Sequence, residues 1–162
     1  MSGATLAIHA GLVRRSRARR RSSGSAGGHD GRKSRPAEAA LLDTSFIIDH
    51  LLGVKAATDR FAQLFEHGDQ PVVNEIAACE AWTGAPLAGD PALERLMRVV
   101  EFVQPEPASA RAAGVWRQEA RERGHVLSLA DALIAAAADD DAIVLTRSVR
   151  DFTLTPVRIE TY

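Results

Sequence analysis

Leu41-Leu42-Asp43-Thr44-Ser45-Phe46-Ile47-Ile48-Asp49 reads as the end of a buried strand, an acid at its tip, two hydroxyl residues and the apolar face of a helix. Open parallel α/β sheets bind ligands at such tips, because the chain leaves the sheet there in loops that vary without disturbing the core. A carboxylate delivered to that position is a candidate functional group. The rest of the chain is read for what it brings to Asp43.

Downstream, strand and helix signals alternate. Phe46, Ile47, Leu51 and Leu52 recur at helical spacing until Gly53 stops the run. The pattern predicts a helix over 55–67 with Ala57, Phe61, Leu64 and Phe65 inward, and one from the cap residue Asn74 to Trp82. Further helices are predicted from Asp90-Pro91, with Leu93, Leu96, Met97 and Val100 in one stripe, over 107–123, and from the cap Ser128 to Ala138. Strands are predicted over 40–43, 71–73, 102–103 and 142–146, with an edge strand over 157–159. Strands separated by helices imply an α/β fold of three layers, α/β/α, around a central, mostly parallel sheet of four to five strands.

The charge is unevenly placed. The chain carries 20 Lys and Arg against 21 Asp and Glu, yet nine of the bases and only two of the acids precede Leu41. The near-neutral total therefore joins a basic extension, 1–38, to an acidic body, 39–162. The extension is rich in Arg, Ser and Gly, lacks apolar periodicity and is expected to be disordered. A basic arm for RNA, a targeting sequence and an incidental upstream extension all fit it; the abrupt start of periodic sequence at Ala39 favours the last. An acidic body argues against holding nucleic acid by bulk charge, and suits one that gathers carboxylates. Cys79 stands alone, which excludes an internal disulfide and fits a reducing, cytoplasmic setting; no apolar run reaches the length of a membrane span.

Three more acids lie where a site could be. Glu80 has Ile76, Ala77, Thr83 and Gly84 three and four positions away, a small and apolar face on which an unpartnered charge is costly. Glu75 projects roughly 140° from it and is accounted for by the helix dipole beside Asn74. Asp131 follows Ser128 at capping-box spacing, and it also shares a face with Leu127, Ile134 and Ala135, which turns it inward. Asp151 comes after the strand ending at Leu145, as Asp43 follows its own strand, and a turn or cap role is open to it as well. Asp139, Asp140 and Asp141 read as a solvated turn, and Asp49 as a surface residue or one that orients its neighbours.

The order Leu41-Leu42-Asp43-Thr44-Ser45, Glu80-Ala81-Trp82-Thr83-Gly84, Leu127-Ser128-Leu129-Ala130-Asp131 and Leu145-Thr146-Arg147-Ser148 with Asp151-Phe152 resembles a PIN domain of the VapC toxin type, over essentially the whole body. The resemblance implies that Asp43, Glu80 and Asp131 are the core metal-binding acids and that Asp151 matches a more variable fourth position. Many relatives have Asn or Asp where this chain has Ser148. It further implies an endoribonuclease that leaves 5′ phosphate and 3′ hydroxyl ends on tRNA or rRNA, a VapB-type antitoxin partner and a homodimer. A PIN domain of RNA maturation and a metal- or RNA-binding module without turnover are the competing readings.

The chemistry also follows from the groups. Carboxylates without a His or Cys cluster suit Mg²⁺ or Mn²⁺, which activates water and neutralises charge on an attacked phosphodiester. Thr44, Ser45, Thr146, Arg147 and Ser148 adjoin the acids and are expected to support them or to contact phosphate. Trp82, Trp116 and Cys79 read as packing residues. Arg111, Arg117, Arg121 and Arg123, mixed with Glu119 and Glu122, read first as a solvated face whose basic side could guide RNA, and the helices around Phe61 to Phe65 and Leu93 to Val100 as walls of the antitoxin groove that the resemblance implies, a homodimer contact or ordinary core.

Overall fold

The structure, a computed structural model, describes residues 37–85, 89–104, 106–138 and 141–162. The expectation of disorder for the extension, and the turn assignment of Asp139 and Asp140, lie outside them apart from residues 37 and 38. In chain order the elements are β1 (Ala39–Leu42), α1 (Thr44–Leu51), α2 (Lys55–His67), β2 (Gln70–Val73), α3 (Glu75–Thr83), α4 (Pro91–Val99), β3 (Glu101–Phe102), α5 (Pro107–Glu122), α6 (Leu129–Ala135), β4 (Ile143–Leu145), α7 (Val149–Phe152) and β5 (Arg158–Glu160).

The strands form one sheet in the order β3-β2-β1-β4-β5, and every neighbouring pair is parallel. Successive strand residues point to opposite faces. Ala40, Leu41 and Leu42 of β1 and all of β4 are nonetheless buried, so both faces of the sheet are covered by helices. The main core gathers Leu41, Phe46, Leu64, Leu93, Ile134 and Phe152 around the sheet. A second, smaller cluster of Ala113, Ala120, Leu127, Ala132 and Ala136 joins α5 to α6, where small side chains let the two helices approach closely.

Topology places the site. The chain proceeds from β1 outward to β2 and β3, then returns to lay β4 against the other side of β1. The connections that follow β1 and β4 therefore diverge, and they open a crevice at the C-terminal ends of those two strands. Glu38 and the N-terminal end of β1 lie at the opposite edge, where the Glu38 N–H donates to Asp69 Oδ1 at 3.0 Å.

Several expectations change in detail. α6 stops at Ala135, because Ala137 and Ala138 close i→i−3 bonds onto Ile134 and Ala135 and tighten the last turn. β3 begins one residue early, with the Val103 N–H still donating to the Val73 carbonyl at 2.9 Å. Phe65 is exposed, edge-on to Phe61 at 5.2 Å between ring centres, since α2 has only Ala57 and Leu64 fully buried. Cys79 and Trp82 are also exposed: the buried stripe of α3 is Ala77, Ala78 and Ala81, and both residues fall outside it. Trp116 does pack, between the two clusters.

Candidate metal centre

Asp43 caps α1 and is buried at the crevice. Its Oδ2 accepts three hydrogen bonds, from Ser45 Oγ at 2.6 Å, Thr146 Oγ1 at 2.8 Å and Ser45 N at 3.3 Å. The hydroxyls are themselves fixed, because Ser45 Oγ accepts from Arg147 N at 3.0 Å and Thr146 Oγ1 from Ser148 N at 2.8 Å. A hydroxyl has one proton to give. Those of Ser45 and Thr146 are committed to Asp43, and Oδ1, to which no described residue donates, is the oxygen left for another partner.

Glu80 reaches the crevice from α3, where its Oε2 accepts from Thr44 Oγ1 at 2.6 Å. The sequence placed it on a buried face; it is instead exposed, at the margin of the stripe formed by Ala77, Ala78 and Ala81. Asn74 fixes that helix from beneath. Its Oδ1 caps α3 at Ala77 N, 3.0 Å away, and its Nδ2 donates to the Leu133 carbonyl of α6 at 3.1 Å. The helices that carry Glu80 and Asp131 are thus joined through one buried amide.

Asp131 is capped as its spacing from Ser128 predicts, and its side chain is half-buried. Its N–H donates to Ser128 Oγ at 2.9 Å, and the same hydroxyl donates to Asp131 Oδ2 at 2.5 Å, a local cap that also sets the side chain's direction. Burial raises its pKa; the Ser128 hydroxyl opposes the shift, and the negative charges of Asp151, Asp43 and Glu80 add to it. Four acids from four separate segments therefore share one electrostatic neighbourhood. Asp151 lies in the first turn of α7, capped by Ser148, whose own side chain makes no capping bond.

As the side chains stand, no three His, Cys, Asp or Glu residues among those described converge on one ion-sized point. The donor set still fits a hard divalent cation in kind: oxygen only, mutually repelling, with one free oxygen on its best-held member.

Of the two readings of Asp49, a surface residue or one that orients its neighbours, the first fails, because it is buried, 4% exposed. Arg147 Nη1 donates to both of its oxygens, at 2.8 and 2.9 Å, and Tyr162 Oη donates to Oδ2 at 2.9 Å. A signal for Asp49 existed, since it lies three residues after Phe46 and so on the inner side of α1. None existed for Tyr162, which reaches back across 113 residues. Arg117 is a further omission: from the face read as solvated, its Nε donates to the Leu127 carbonyl at 3.2 Å and holds the loop before the Ser128 cap.

The PIN domain profile matches residues 40–148. The ribonuclease VapC19 of Mycobacterium tuberculosis is 32% identical over 117 residues, which are 72% of this chain and 94% of that protein. Among solved structures, VapBC2 from Rickettsia felis bound to a promoter DNA fragment aligns at a TM-score of 0.66 with 17% identity, over 76% of this chain and 98% of its own. VapBC-1 from nontypeable Haemophilus influenzae aligns at 0.64 with 24% identity, over 76% and 97%. Both are likenesses of fold.

Proposed function

This chain belongs to the PIN domain family, and from that premise we propose that it is a divalent-metal-dependent endoribonuclease, the toxin of a toxin–antitoxin pair. The observation that carries this reading is Asp43, buried at the crevice between β1 and β4 with one oxygen held by Ser45 and Thr146 and the other met by no described donor; the negative charges of Glu80, Asp131 and Asp151 nearby support it. Asp43, Glu80 and Asp131 would hold Mg²⁺ or Mn²⁺, with Asp151 as a fourth acid near them. When bound, such a cation activates water for in-line attack on the phosphodiester and neutralises the charge that develops on the phosphate.

The chain's own groups hold and orient. Ser45 and Thr146 fix one oxygen of Asp43, Thr44 holds Glu80 and Ser128 holds Asp131. Donors for phosphate are then Arg147 and the Ser148 hydroxyl. RNA is the substrate class, with tRNA or rRNA the expected targets, and the setting is cytoplasmic. No helix among the described residues is long and apolar enough to cross a membrane.

The partner is a VapB-type antitoxin, and the groove of about 320 Å³ lined by His50, Leu51, Phe61, Arg95, Leu96 and Val99 supports its placement between α1, α2 and α4. Phe65 and Val99, large and exposed at its margin, support an apolar docking segment. A homodimer is the expected assembly.

Sequencing the 5′ ends released from total RNA tests the nuclease reading. Cleavage should require Mg²⁺ or Mn²⁺, stop with EDTA and fall to background in Asp43→Asn; an equally active Asp43→Asn protein overturns it.

A further inference from the structure

Beside the carboxylates lies a second open cavity, of about 280 Å³, lined by Asp49, Val54, Ala56, Thr146, Arg147 and Tyr162 among others. It shares a wall with the centre, because Thr146 lines it and also donates to Asp43. Its charged member is unusually placed. The Asp49 side chain is 6% exposed and that of Arg147 64%, so a buried acid holds an exposed guanidinium. One nitrogen, Nη1, serves both oxygens of Asp49, while Nε and Nη2 donate to no described residue.

Tyr162 completes the mount. Its hydroxyl donates to Asp49, and its ring stands edge-on to the buried Phe46 at 4.8 Å. Both contacts fix the acid that fixes the arginine. A guanidinium anchored by one end and open at the other offers a fork of two donors, the geometry that matches phosphate oxygens. It also follows directly on Thr146, which donates to Asp43, and so stands beside acids that repel phosphate. The cavity's remaining walls are Val54, Ala56, the Tyr162 ring and Thr161, so apolar surface that suits the flat face of a base carries one hydroxyl at its side.

We propose that this cavity is the subsite for the nucleotide next to the scissile phosphate, with Arg147 contacting that nucleotide's phosphate and Asp49 and Tyr162 acting as positioning residues for Arg147. The proposal rests on the nuclease reading for its substrate class, and it adds which side of the centre the strand occupies.

The test is binding of a short, fluorescently labelled single-stranded RNA of randomised sequence to the full chain in EDTA, across a range of salt. Arg147→Gln should weaken binding about tenfold or more, the range for a hydrogen bond to a charged group. It should also reduce the slope of log affinity against log salt by about 0.7, one single-strand phosphate contact. A role confined to folding does not move that slope. The double variant Asp49→Asn/Arg147→Gln, which replaces the ion pair with two amides, should behave like Arg147→Gln, and it decides the matter if the single variant is unfolded by circular dichroism. Tyr162→Phe should weaken binding at an unchanged slope, since the charge stays but its mount loosens.

Wild-type affinity and slope in the folded Arg147 variants overturn the subsite, as does an absence of RNA binding by the wild type. Mg²⁺-dependent cleavage measured alongside separates the two readings. Cleavage by the wild type with indifferent Arg147 variants sinks the subsite alone; no cleavage with the predicted binding losses sinks the nuclease reading, and with it the scissile phosphate, and leaves Arg147 as a phosphate contact of an RNA-binding surface.

Discussion

At Asp43 the two carboxylate oxygens have different work. Oδ2 is saturated by Ser45 and Thr146, and Oδ1 is left open. In Asp43→Asn the amide oxygen takes the saturated place, since a nitrogen there would meet three donors. The NH₂ group then faces outward and offers hydrogens where a cation needs a lone pair, so the variant loses activity while keeping its fold. Asp131 allows a complementary prediction. Its folded pKa is raised, so the folded state holds its proton more tightly than the unfolded chain, and stability falls as pH rises through that raised value. Asp131→Asn removes the charge and keeps the acceptor for Ser128. In metal-free protein at neutral pH it should raise Tm, because the charge that burial and the neighbouring acids disfavour is gone. An unchanged or lowered Tm in a calorimetric scan contradicts the repulsion described. Asp43 and Asp151 stand out in sequence because each comes after a strand, and Asp131 because it shares a helix face with apolar residues. Glu80's exposure was not legible there, because a run of alanines gives a weak stripe whose edge periodicity does not locate.

The elements depend on joints that pattern shows only in part. Asn74 was legible as a cap; its second bond, to the Leu133 carbonyl, links positions 59 residues apart and leaves no local trace. Asn74→Ala removes a cap and leaves the Ala77 N–H without its acceptor, which together cost about 1–3 kcal/mol. The loss should appear as a lowered urea midpoint at an unchanged m-value. It should also weaken cleavage, because α3 and α6 carry Glu80 and Asp131; a destabilised variant with full activity argues against that linkage. β5 and the end of α6 shifted by residues rather than by kind. Helix and strand interiors are written in hydrophobic period, while their ends depend on individual bonds such as Thr146 N to the Glu160 carbonyl at 3.2 Å.

For the molecule as a whole, the α/β class and the parallel sheet were legible from alternation alone, whereas the strand order rests on pairings between distant segments. Tyr162 reports on one such closure. It is the chain's only tyrosine, and its pKa is pushed up to about 12, first by burial and then by its hydrogen bond to Asp49 and the charge of Asp49. The protonated form is the one the fold favours. Its contribution is complete below the unfolded value of 10.0 and is lost as pH rises towards about 12. Phenolate absorbance should titrate near the upper value in folded protein, and Tyr162→Phe should flatten the alkaline decline in stability; a phenolate titrating at its ordinary value refutes the contact. Removal of residues 1–33 should leave fold and cleavage unchanged, since every strand and helix described lies after them; reduced cleavage assigns the extension a part. The bond from Thr146 to Asp43 spans 103 residues and closes only when β4 is laid against β1. At about 5–20 residues per second, synthesis of the 162-residue chain takes roughly ten to thirty seconds. For almost all of that time the ribosome carries a chain whose first acid lacks its Thr146 bond and whose fourth is still to be translated. A growing chain that has not reached Thr146 thus lacks one of the bonds that fix the Asp43 carboxylate, and that bond forms only once β4 has been made and laid in place.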